Sequence, residues 1–239
     1  MTKHGQQCRN SPAKGAGKQY CYLHTPQGSK DIPTPTSEAK NDTSVGFESW
    51  IPGDLSPTTK VKIRAKMAES LSQSENPGYV YAFEIVDPET PDYIHIKVGY
   101  SKNVLQRLSQ WQRQCPSKEI KLRGGWPSTL KTEYVNQTTG EYVESIRFEN
   151  PTKYPHRVEQ LVHLELEDVA LHSLHLKPEH RRPAASCPSM SRRCLDCGRL
   201  HREIFSFKRF TEPGLKGCEF DKVVLPVIEH WGRFVSQRG

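Results

Sequence analysis

Two runs of β-branched and aromatic residues, Tyr79–Val86 (YVYAFEIV) and Tyr93–Gly99 (YIHIKVG), are separated by the turn cluster Asp87-Pro88-Glu89-Thr90-Pro91-Asp92. Such runs joined by a short polar turn predict a β-hairpin. An amphipathic segment follows at once. Ser101 can cap a helix running from about Lys102 to Gln114, with Val104, Leu105, Leu108 and Trp111 on one face. Glu119–Leu122 reads as a third strand. This strand–strand–helix–strand order predicts an α/β (α+β) fold, a small three-stranded antiparallel sheet flanked by helices, with Cys/His zinc-knuckle-like appendages.

Only 34% of the residues are hydrophobic, so part of the 239-residue chain is expected to lie outside a packed core. Residues 1–24 form a short Cys/His-bearing segment. Residues 25–57, rich in Pro, Ser, Thr and Gly, read as a flexible linker whose GFESWIP patch (Phe47, Trp50, Ile51) can dock onto the main domain. The domain itself is expected over residues 58–239, with its core at 78–207. A helix over 58–73 carries Val61, Met67, Ala68 and Leu71, and residues 127–154 read as an inserted loop or hairpin. His156 to about Leu174 gives the strongest helical period. A strand follows around Glu203–Phe207, and a last helix over Glu219–Val235 is kinked or divided at Pro226.

The central order resembles the GIY-YIG nuclease superfamily and, within it, the phage Orf-172-type DNA-binding domain found also in fungal proteins. The resemblance spans residues 78–207. In active members a tyrosine from each half-motif arranges the attacking water, an arginine stabilises phosphate charge, and a glutamate holds a divalent cation. The resemblance puts Tyr81 at the first tyrosine, Gly99 at the close-approach glycine, Arg107 at the arginine and Glu159 at the glutamate. A positioned cation and fixed positive charge are what phosphodiester hydrolysis needs. The match departs in three places. Lys97 replaces the second tyrosine, Tyr79 the first-motif glycine, and Trp111 stands where a histidine often follows the arginine. The KVG form is common in the phage-type branch, which is described by DNA binding more than cleavage. The resemblance therefore implies a DNA-binding protein, with metal-dependent endonuclease activity (Mg2+ or Mn2+) and a zinc-stabilised protein-interaction module as alternatives.

Singly, these residues also have ordinary readings. Tyr81 can be a core tyrosine, Arg107 can stack on Trp111, and Glu159 can be an exposed helical glutamate beside His163. The net charge of +7 suits a polyanion partner, and Lys97, Lys102, Arg107 and Arg113 are the expected phosphate contacts.

The seven cysteines are odd in number and mostly lie near histidines or each other. That favours metal ligation and an intracellular setting, nuclear in preference to cytoplasmic. Cys194-Leu195-Asp196-Cys197 with His201 has the spacing of a zinc knuckle, and Cys187 or His180 can supply a fourth ligand. The segment CLDCGRLHREIF resembles one that fungal proteins of this type carry. At the N-terminus, Cys8, Cys21 and His24, with His4, form either a second zinc site or part of a basic tail. Cys115 and Cys218 read as ordinary semi-buried thiols. No apolar run reaches the roughly 20 residues of a membrane-spanning helix, and no secretory h-region is visible, so no membrane association is expected.

Overall fold

The computed structural model describes residues 46–135, 142–181, 193–201 and 203–238. All of them belong to one folded unit, Ser44–Gly239. The expected hairpin forms from strands β1 (Tyr79–Val86) and β2 (Tyr93–Ser101), and β3 (Glu119–Trp126) pairs on the far side of β1. The sheet has four strands rather than three, because β6 (Ile204–Lys208) adds antiparallel to β2, giving the order β3-β1-β2-β6. Between β3 and the next helix, β4 (Ser128–Val135) and β5 (Tyr142–Phe148) make a separate two-stranded hairpin. Its base rests against the sheet where Phe148 meets Tyr79, ring centroids 5.2 Å apart.

Period-2 alternation sends β1 and β2 residues to opposite faces. Val80, Ala82, Ile94, Ile96 and Val98 face the larger core layer, built from helices α1 (Pro57–Ala68), α3 (Pro155–His172) and α4 (Leu225–Ser236). Tyr81, Phe83 and Ile85 face the other way, onto helix α2 (Val104–Gln114). In α2 the inward stripe is Val104, Leu108 and Trp111, continued by Cys115. Leu105, expected on that face, is 70% exposed because it falls at the edge of the stripe. The cap of α2 is Asn103, whose side chain accepts from the Gln106 N–H, while Ser101 caps nothing and instead accepts from the Asn103 N–H.

Helix α1 is shorter than expected and turned about its axis. It buries Thr59, Ile63 and Met67, leaving Val61 outside. Asp168, from α3, fixes its start by accepting from the Ser56 N–H and from the hydroxyls of Ser56 and Thr59. The docking expected of the GFESWIP patch occurs: Trp50 lies 5.3 Å from Phe234, and its carbonyl accepts from His230. The interruption near Pro226 is a five-residue π-helical turn, Phe220–Val224, ahead of α4. It accommodates a proline near the helix start that has no N–H to donate.

Candidate metal centre and polar cluster

Cys115 ends α2, and from there its thiol meets the knuckle that follows residue 192. Its Sγ lies 3.7 Å from Cys194 Sγ, 3.7 Å from Cys197 Sγ and 3.2 Å from His201 Nε2. Cys197 Sγ is 3.3 Å from the same nitrogen, and all four ligand atoms lie within 4.8 Å of one another. A tetrahedral ion with metal–sulfur bonds of about 2.3 Å requires sulfur–sulfur edges of about 3.8 Å. The two edges from Cys115 already stand at that spacing, far outside disulfide length. The four residues can hold a metal ion.

The knuckle owes its shape to a tight turn. The Gly198 N–H donates to the Cys194 carbonyl, the Cys194 N–H donates to the Arg199 carbonyl, and Gly198 takes φ of +67°, a left-handed conformation that suits glycine. Asp196 anchors the turn by accepting from both the backbone N–H and the hydroxyl of Ser117, just past α2. His201 lies 5.3 Å from the Trp111 ring.

Electrostatics favour a cation here. Burial and the two neighbouring thiols push the Cys115 thiol up to about 12, so three thiolates would not coexist without a positive centre. A bound ion reverses that preference and deprotonates its thiol ligands. Burial, with Lys97 and Arg199 nearby, lowers the His201 pKa and favours the neutral imidazole that ligation requires.

The fourth member of the group is therefore Cys115, which the sequence reading treated as an ordinary thiol. Cys187 lies outside the described residues. His180 sits exposed in the turn Pro178–His180 and is not in the group. Cys8, Cys21 and His24 also lie outside the described residues, as does His4.

Tyr81, Arg107 and Glu159 meet in a second group, beside the knuckle. Tyr81 is 1% exposed; burial raises its pKa, and a hydrogen bond with Arg107 opposes that rise. Gly99 pairs directly opposite Tyr81 across β1 and β2. A Cβ on Gly99 would stand 2.7 Å from the tyrosine oxygen, so the group that approaches this glycine closely is the phenol of Tyr81.

Lys97 is buried, and its ammonium lies 2.9 Å from Glu203, so it belongs to the cluster and not to the open surface. The lysine holds the Glu203 carboxyl below its ordinary value against the opposing effect of burial. Glu203 has φ of 66°, an uncommon left-handed conformation for a residue with a side chain, just before β6.

Glu159 and His163 reach this group from α3. Beyond the end of its pairing with β6, β2 leaves an edge carbonyl that α3 satisfies: His163 Nε2 donates to the Val98 carbonyl at 3.2 Å. Burial, and then Glu203, lift the Glu159 carboxyl to about 7, although Lys97 and the Tyr100 N–H oppose the rise. Glu203 was the residue that sequence reasoning passed over, although it stands two positions after His201 in the segment that carried the knuckle. Lys102 and Arg113 stand exposed, apart from this cluster.

Fold and site together define a mixed α/β protein with a four-stranded antiparallel sheet and a three-cysteine, one-histidine group able to bind metal. The family model described as Meiotically up-regulated gene 113 (MUG113) matches residues 93–234, more than half of the chain. The protein belongs to the MUG113 family. Comparison with curated proteins finds no match. Comparison with solved structures likewise finds none.

Proposed function

We propose that this protein binds DNA through a nuclease-like fold, and that its knuckle is a structural zinc site. The observation that carries the DNA reading is the meeting of Tyr81, Arg107 and Glu159 from a strand and two different helices. Each of the three has an ordinary reading singly, and it is their convergence that supports a phosphate-handling site. The net charge of +7 adds sequence-independent attraction to phosphates. Zinc is favoured by the donor set, since three thiols and an imidazole at tetrahedral spacing suit a closed structural site.

The same convergence favours cleavage as a second reading, with Glu159 holding Mg2+ or Mn2+. Two features weigh against it. Where a second phenol would act, Lys97 is engaged by Glu203, and burial with Glu203 nearby lifts the Glu159 carboxyl to about 7, which disfavours the ionised form that a cation needs. Binding to a labelled duplex as salt is raised, together with plasmid nicking in Mg2+ by the wild type, Arg107→Ala and Glu159→Ala, separates the readings. Salt-sensitive binding without nicking supports a binding module. Nicking that both substitutions abolish supports the enzyme, and equal nicking by all three proteins points to a contaminant. No salt-sensitive binding would sink both and leave the protein-interaction alternative.

A further inference from the structure

The stretch between Asp92 and Glu119 contains Lys97, Lys102, Arg107, Arg113 and Lys118 and no acidic residue. The structure sets this acid-free segment beside a second cationic one. The knuckle meets the last turn of α2 through Cys115, the Trp111–His201 ring contact and the Asp196–Ser117 hydrogen bonds. Those contacts bring exposed Arg193 and Arg199, which flank the knuckle, next to that helix.

On α2, Gln106, Gln110 and Arg113 recur at i, i+4 and i+7 and are all exposed, so they form one row. Arg107 borders the row through its hydrogen bond to Gln110. Among the described residues, no carboxylate lies within ion-pair distance of Arg107, Arg113, Arg193 or Arg199. Three acidic residues in or beside these segments have other partners: Asp196 accepts from Ser117, Glu203 pairs with Lys97 and Glu119 with Lys121. Arg193 donates to the Gly198 carbonyl and Arg107 to Gln110, so these guanidiniums keep their charge unneutralised by carboxylates, and with amide donors among them they have the chemistry that grips a phosphodiester backbone.

We infer that the metal-binding knuckle and helix α2 together form the DNA-docking face, with Arg193 and Arg199 contacting backbone phosphates alongside Arg113. This rests on the DNA-binding reading and assigns the contact to a surface outside the Tyr81 cluster. The metal centre would then serve binding indirectly, by fastening two cationic segments that are 79 residues apart at Cys115 and Cys194.

Duplex binding of the metal-loaded full chain, followed by fluorescence anisotropy across a salt series, tests it. Each lost phosphate contact lowers the slope of log K against log salt by about 0.9. R193E/R199E is expected to lower that slope by about 2 and to weaken binding about tenfold or more at 0.1 M salt. K62E/K216E, the same charge change at exposed residues away from the knuckle, is expected to leave the slope within about half a unit of wild type. Metal content and melting temperature are measured for both. Should R193E/R199E lose its metal, R113E on the helix carries the test, with an expected slope change of about 1.

Wild-type binding with an unchanged slope in the arginine variants overturns the docking face and leaves DNA binding standing. Equal losses in both double variants overturn it too, by reducing the effect to net charge. Absence of salt-sensitive binding by the wild type overturns the DNA reading and this one with it.

Discussion

Glu165 is a carboxyl in the main core, 6% exposed, with the indole N–H of Trp231 donating to it at 2.7 Å. Burial lifts it to about 7 from an ordinary 4.5, and the hydrogen bond from Trp231 only partly offsets the rise. A carboxyl with a raised folded-state pKa binds its proton more tightly in the folded chain than in the unfolded one. Its contribution to stability is whole below about pH 4.5 and is lost as pH rises through 7. At 1.36 kcal/mol per tenfold change in proton affinity, ionised Glu165 costs the folded state about 3 kcal/mol at pH 8 relative to pH 4. Glu165→Gln keeps an oxygen for Trp231 and cannot ionise. The variant should therefore gain about 3 kcal/mol on the wild type between pH 4 and pH 8, or about 6–12 °C in melting temperature for a domain of this size. Urea unfolding of both proteins at the two pH values measures this, and the difference cancels effects at the metal centre that they share. A stability difference that does not change with pH would refute the reasoning, because a carboxyl whose pKa rises on folding must make stability depend on pH.

Cys115→Ala removes one of the four side chains proposed to hold zinc and is expected to leave the knuckle with well under one zinc per chain by colorimetric metal assay; full occupancy would show that the ion is held elsewhere. Gly99→Ala puts a Cβ 2.7 Å from the oxygen of a tyrosine too buried to swing away, so it should cost about 1–3 kcal/mol in thermal unfolding. Tyr81→Phe should recover part of that loss in the double variant, and strict additivity would mean that the hydroxyl is not the obstacle. Asp168→Ala strips the Ser56 N–H and the Ser56 and Thr59 hydroxyls of their shared acceptor, for an expected loss of about 2 kcal/mol by the same assay.

The hairpin, α2 and α3 were legible because each repeats its apolar residues at the period of its own element. Tyr79–Val86 and Tyr93–Gly99 could hardly be anything but strands, and Val158, Leu161, Val162 and Leu166 mark an inward helical stripe. Element edges were less legible. The α2 cap moved from Ser101 to Asn103, since two neighbouring polar residues offer equivalent oxygens and only the backbone path decides between them.

The knuckle was visible from Cys194, Cys197 and His201, whose short spacing lets one turn present three ligands. Cys115 was invisible because it joins them only through tertiary folding; the one hint was that a three-ligand motif leaves a coordination place to fill. Glu203 was hidden by its position at the start of a strand. Its left-handed backbone and its bridge to Lys97 depend on where the knuckle delivers the chain. Lys97 shows the reverse, because a lysine inside a strand reads as a surface cation, and its burial beside Glu203 is visible only in the fold.

DNA binding itself is tested most directly by anisotropy of a labelled duplex titrated with the zinc-loaded full chain at 50 and 200 mM salt. With several phosphate contacts, affinity should fall by about 10- to 1,000-fold between the two conditions. Undetectable binding at the lower salt, or an affinity indifferent to salt, would contradict the proposed function.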